Sequence, residues 1–138
     1  MLRDTGAVPS DNVELVHRMY SAMAAGDIEP IVEILDPEVE YRNPEQALEP
    51  GVRKGADAFR RILEQLLETL TYVELSPERI VESDDRLAVI LRVRAEGVAS
   101  GAPTDQRFGH VLRLRDGRLL SLEWFRDPED ALKELEKD

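Results

Sequence analysis

Residues 107–127 read RFGHVLRLRDGRLLSLEWFRD, and the way they pair decides the fold. They predict two strands around a tight turn at Asp116-Gly117. Period-two alternation puts Phe108, His110, Leu112 and Leu114 on one face of the first strand. It groups Leu120, Leu122, Trp124 and Arg126 on one face of the second. A two-residue loop pairs Arg115 with Arg118 and sets His110 opposite Glu123. A three-residue loop with Gly117 in a bulge pairs Leu114 with Arg118 and sets His110 opposite Leu122 and Phe108 opposite Trp124. The second register makes one apolar face and keeps two arginines apart, so it is preferred. Either way, a single histidine lies along a strand of apolar residues.

The rest of the chain is in keeping with one domain. It has 138 residues, no cysteine and a formal net charge of -11. The length suits one core. The acidic balance argues against nucleic acid and anionic membranes as partners. No apolar run approaches the roughly 20 residues of a membrane span, and the first residues lack the apolar centre of a signal peptide. A cytoplasmic protein is the expectation. Residues 1–10 read as a flexible tail and 11–138 as the domain.

A first helix is predicted from Asp11, capped by that residue with Glu14 as its box partner. Val13, Val16, Tyr20 and Met23 form its stripe, flanked by Met19, and Gly26 ends it. A second helix is predicted over 28–35, broken by Asp36-Pro37. A short strand follows over 39–43, then a polar loop over 45–54 that could act as a lid. A third helix runs from about 56 to 70, with Phe59, Ile62, Leu63, Leu66 and Leu70 on its buried side. Strands are predicted at 72–75, 79–82 and 86–96. In the last, Leu87, Val89, Leu91 and Val93 share a face, with Arg92 and Arg94 on the other. Asp127 and Pro128 open a short terminal helix. Helices early and strands late make an α+β pattern.

Four stretches carry a family resemblance: VELVHRMYSAMAAGDIEPIVEIL at 13–35, DPEVEYRNP at 36–44, GADAFRRIL at 55–63 and RLRDGRLLSLEWFRDPEDAL at 113–132. With them the chain, over about residues 12–135, resembles the SnoaL-like and ketosteroid-isomerase-like group of the nuclear transport factor two-like superfamily. The resemblance implies an α+β conical barrel. A curved mixed or antiparallel sheet would wrap around three N-terminal helices and an internal apolar cavity. It also implies a homodimer formed through the outer face of the sheet, and members that range from isomerases, dehydratases and cyclases to proteins that only bind.

Function in such a fold has to be argued from the site. Where ketosteroid isomerases carry a general-base Asp before a proline, this chain has Asn43, an amide that takes no proton. Their helix tyrosine falls at Met19, with Tyr20 one residue on, and their second Asp falls at His110. Limonene-type epoxide hydrolases share Tyr41 and Asn43, but their Arg-x-Asp is missing after Arg92 and Arg94. An inward carboxylate suited to a SnoaL-type cyclase would be Glu123, and only in the two-residue register.

His110 is the candidate acid or base because its ordinary pKa lies near working pH. The competing reading is a neutral histidine filling core. Tyr41 and Asn43 are candidates to orient a polar group beside it. Tyr20, Met19, Phe59, Leu91, Val93, Leu122 and Trp124 are candidate walls, and Arg126 could meet an anionic group at the mouth. Arg92, Arg94, Arg113 and Arg115 are expected on the outer sheet face, paired with Glu96 and Glu123 or at a dimer contact that Ile90, Val111 and Phe125 would help bury. Two histidines without carboxylate-histidine spacing predict no metal site, and no nucleotide or cofactor motif is present. The expected function is cofactor-independent proton transfer on a small apolar molecule: isomerisation, dehydration, hydration or cyclisation. The alternative is a binding or assembly protein.

Overall fold

A computed structural model describes residues 3–4 (as backbone), 10–43, 51–97 and 103–137. The elements run β1 (Arg3–Asp4), α1 (Asp11–Ala24), α2 (Glu29–Val32), β2 (Leu35–Asn43), β3 (Gly51–Lys54), α3 (Ala56–Thr69), β4 (Leu70–Ser83), β5 (Arg86–Gly97), β6 (Pro103–Arg115), β7 (Arg118–Phe125) and α4 (Pro128–Glu136). The strands form one sheet in the order β1-β4-β5-β6-β7-β2-β3. Pairing is antiparallel except between β2 and β7, so the sheet is mixed as expected. It is curved and does not close, and α1, α2 and α3 fill its concave side in the cone arrangement.

The core is the meeting of that concave face with the helix stripes. Val13, Val16, Phe59, Leu87, Val89, Leu91, Leu112 and Leu114 are almost wholly removed from water. Each side chain of this kind contributes about 1.5–3 kcal/mol by burial. The predicted stripes of α1 and α3 are the ones buried, apart from Leu66, which is 41% exposed, and Leu70, which is half-buried and opens β4 instead. The cap of α1 differs from expectation: Ser10, not Asp11, accepts from the Val13 amide at 3.2 Å. Its hydroxyl also donates to Glu82 on β4 at 3.0 Å, which ties the helix start to the sheet. Arg3 and Asp4, in the stretch expected to be loose, pair with Glu82 and Val81.

Pro37, expected to break the chain after the second helix, and Pro77, between the strands expected at 72–75 and 79–82, instead lie inside strands at or beside a bulge. The second helix is a single turn, and β2 begins at Leu35. Leu35 pairs with Leu119 and Glu40 with Ser121, so residues 36–39 face Leu120 alone. Pro37 lies in that gap, where no ladder amide is needed. Likewise β4 runs through Pro77, and the register slips at Glu78. The candidate lid is described only over 51–54, which form β3; residues 44–50 lie outside the described residues.

The hairpin follows neither predicted register. The turn is the two-residue one: Asp116 and Gly117 both have positive φ, and Arg115 pairs with Arg118. Leu114 then pairs with Leu119, Leu120 bulges out, and Arg113 pairs with Ser121. The bulge moves the remaining pairs by one residue, so His110 faces Trp124 and Leu112 faces Leu122. Leu119, rather than Leu120, takes the core position. Extra length in the strand does what the longer loop was expected to do.

The outer face is covered in part by α4. Ala131 and Leu135 pack on Val81, Ala88 and Val111, with Phe125 and Leu132 at the margin. Val111 and Phe125, expected at a dimer contact, are therefore in contact with the chain's own last helix. Arg86 holds that helix by donating to the Leu135 and Lys137 carbonyls at 3.1 and 2.9 Å. The outer arginines are paired, though with other acids than expected: Arg92 with Asp105, and Arg113 and Arg115 with Asp85. No described helix is long and apolar enough to cross a membrane.

Candidate functional site

Two compartments share one wall. The inner one, between the helices and the sheet, has a volume of about 190 Å³ and a lining that is almost entirely apolar. Met19, Tyr20, Phe59, Leu91, Val93 and Leu122, all predicted wall residues, line it. The outer one is an open cleft of about 650 Å³ formed by Gln106, Arg107, Phe108, Trp124 and Arg126. Tyr41 and His110 line both.

His110 is half-buried on β6, where strand alternation turns its side chain toward α1. The Tyr20 hydroxyl lies 3.0 Å from its Nδ1, and the two rings are stacked at 5.9 Å. Burial pulls the His110 pKa down to about 4, so the imidazole is neutral at physiological pH. Burial also raises the Tyr20 pKa, so its hydroxyl keeps its proton. Nδ1 is thus occupied. Nε2 has no hydrogen-bond partner among the described residues, yet no buried side-chain nitrogen or oxygen among them lacks one. Nε2 therefore opens onto the cavity space.

Tyr41 reaches the site from β2, with its ring edge-on to Phe59 at 5.5 Å. Its pKa is raised by burial, against a smaller effect of Arg53. Asn43 lines neither compartment. Its Oδ1 accepts from the Trp124 indole at 2.5 Å, which holds the tryptophan in the cleft wall. Phe108 meets the Trp124 ring at right angles, 6.1 Å between centroids. Met19 and Tyr20, weighed as rivals for one position, both face inward, but Tyr20 is the one that bonds to His110. Sequence reading treated Tyr20 only as wall; its place on the helical stripe was the available signal, and the pairing with β6 was not visible. Glu123 faces the opposite side, in a groove with Val111 and Glu134, where burial raises its pKa and Glu134 adds to the effect.

Arg126 is exposed at the rim of the cleft. Neither Asp127 nor Glu129 pairs with it: the Asp127 carboxylate caps α4 by accepting from the Glu129 amide at 3.0 Å. No carboxylate lines either compartment among the described residues, and no cluster of His, Asp and Glu among them is suited to a metal.

The SnoaL-like domain family matches residues 16–122 of this sequence. No curated protein matches it. Solved structures share the architecture. A protein from Burkholderia pseudomallei described as NTF2-like and of unknown function is 23% identical, with 94% of this chain and 100% of that chain covered and a TM-score of 0.74. TerC, co-crystallised with polyporic acid, is 24% identical over 93% of this chain and 100% of its own, at 0.73. A proposed SnoaL-like polyketide cyclase from Jannaschia sp. CCS1 is 16% identical over 99% of both chains, at 0.75. At these identities the likeness is one of fold.

Proposed function

The chain belongs to the SnoaL-like domain family, and from that premise we propose that it is a cofactor-independent enzyme that moves a proton on a small, largely apolar molecule held in the cone. The carrying observation is His110 at the wall between the two compartments, with Nδ1 engaged by Tyr20 and Nε2 open. A neutral imidazole can give a proton or take one. With the proton on Nδ1 donated to the Tyr20 oxygen, the Nε2 lone pair accepts a substrate proton, and Tyr20 then supports the imidazolium. With Tyr20 donating to Nδ1, Nε2–H donates to a substrate oxygen. A group with a pKa of about 4 is a weak base. The substrate proton must therefore be acidified, next to a carbonyl or conjugated with one. Tyr41 orients the polar end of the substrate, and Asn43 acts through Trp124.

The test is proton exchange from deuterated water into a panel of ring enones and β-dicarbonyl compounds. His110→Gln should lower exchange by about 10²–10⁴-fold and leave the folded circular-dichroism signal in place. Normal exchange by that variant on a compound the parent accepts would sink the proposal. A second reading, binding without chemistry, is favoured by the absence of a carboxylate from both linings among the described residues. Saturable binding with no exchange after long incubation would select it.

A further inference from the structure

The cleft differs in charge from the chain that forms it. The chain carries a formal net charge of -11, yet the cleft lining holds two arginines and no acid among the described residues. The groove on the opposite sheet face is mixed, with Asp36, Glu38, Glu40, Glu123 and Glu134 against Arg42, Arg86 and Arg113. The two cleft arginines are not equivalent. Arg107 is bound to Glu78 at 2.6 Å, whereas Arg126 has no ion-pair partner among the described residues. Position also singles out Arg126. His110 lies opposite Trp124, and Arg126 follows two residues on, just past the end of β7, so at most about 7 Å further along the chain. Below that level the inner cavity of about 190 Å³ is apolar. A dry cavity of about 150 Å³ in another protein takes up benzene, so this one has room for roughly a single ring.

We infer that the molecule taken by this site is an amphiphilic acid, with a single ring or similarly sized apolar body in the inner cavity and a carboxylate held at the mouth by Arg126. This deepens the proposed function and rests on its cavity, though not on its chemistry. The local cations make the mouth attractive to an anion that the rest of the surface repels. A guanidinium suits a carboxylate because two parallel N–H donors match its two oxygens. The distance along the chain from the His110–Trp124 pair to Arg126 calls for a few bonds between ring and carboxylate. Arg126 is exposed, so the gain from the charge is modest.

Calorimetric titration of the full chain with phenylacetate, 3-phenylpropanoate and 4-phenylbutanoate, each against its primary amide, tests this. At least one acid should bind about three- to tenfold more tightly than its amide, and high salt should shrink the difference. Arg126→Gln should remove the preference and leave amide affinity unchanged, while Arg107→Gln should keep the preference. Equal binding of acid and amide overturns the inference, as does a preference that survives Arg126→Gln or is lost only in Arg107→Gln. Failure of every acid to bind at millimolar concentration also overturns it. Exchange is read separately, on the ring enones and β-dicarbonyl compounds. Acids that bind as described, while none of those compounds shows His110-dependent exchange, support the ligand class and count against the enzyme. His110-dependent exchange on neutral rings, with no advantage for acids, does the opposite.

Discussion

The Tyr20 hydroxyl lies 3.0 Å from Nδ1 of His110, which joins the first helix to a strand 90 residues later. Their mutual burial keeps the tyrosine protonated and the histidine neutral. Neither residue has a carboxylate beside it in the two linings among the described residues. The pair is thus governed by loss of water rather than by charge, and its consequences can be measured one at a time.

Acid should destabilise the fold through His110. Its pKa falls from 6.5 to about 4 on folding, so between those values the unfolded chain binds the proton and the folded chain does not. Stability is unaffected above pH 6.5 and falls as the pH drops toward 4, by on the order of 1–3 kcal/mol. Denaturant titrations at several pH values should show that slope in the parent and a shallower one in His110→Gln. Parallel curves would mean that His110 is not held neutral.

Tyr20→Phe keeps the ring and removes the hydroxyl. The stability loss should be about 1 kcal/mol, because Nδ1 loses its partner while the ring packing stays. The informative readout is the nitrogen chemical shift of His110, which should show a changed tautomer balance. Proton exchange on an accepted compound should fall at least tenfold. An unchanged shift with unchanged exchange would reduce the Tyr20–His110 bond to packing.

The bulge in β7 predicts opposite outcomes for two adjacent leucines. Leu119 is fully buried and bonded through its amide to the Ile34 carbonyl at 2.7 Å, whereas Leu120 bulges toward the outer groove. Leu119→Ala should cost about 2–5 kcal/mol and Leu120→Ala about 1 kcal/mol or less. Thermal melts of the two variants decide between this register and the one with Leu120 in the core.

Gly109 marks the closest approach of α4 to the sheet. A Cβ there would lie 2.6 Å from the Ala131 Cβ and 3.0 Å from the Pro128 Cα. Gly109→Ala should therefore push α4 outward and cost about 1–3 kcal/mol. Faster amide exchange in α4 than in β6 would locate the damage. A variant as stable as the parent would show that α4 is not tightly docked.

Much of the architecture was open to reading because it follows local rules. The stripes of α1 and α3, the inward face of β5 and the turn at Asp116-Gly117 each depend on residues a few positions apart. The errors share a different cause. Pro37 and Pro77 look like chain breakers until pairing with a distant strand shows the extra residues of their own strands bulging at or beside them. Leu119 and Leu120 are chemically identical, and nothing in alternation alone says which of them the strand will extrude. That α4 packs on Val111 and Phe125 was not legible either, because its docking beside a glycine 22 residues before Ala131 is not a periodic signal.

By itself, then, the amino-acid order determined where α1, α3 and the late strands lie, which side of each is apolar, and that a lone histidine lies on an apolar strand face. Those are consequences of backbone period and side-chain solubility, which act within a segment. Tertiary structure decided that His110 meets Tyr20, that Asn43 holds Trp124, and that Arg126 is left at the cleft without an ion pair among the described residues. Each of those depends on how distant segments are registered against one another. Register comes from the balance of bulges, prolines and close packing across the whole sheet, which no single stretch contains.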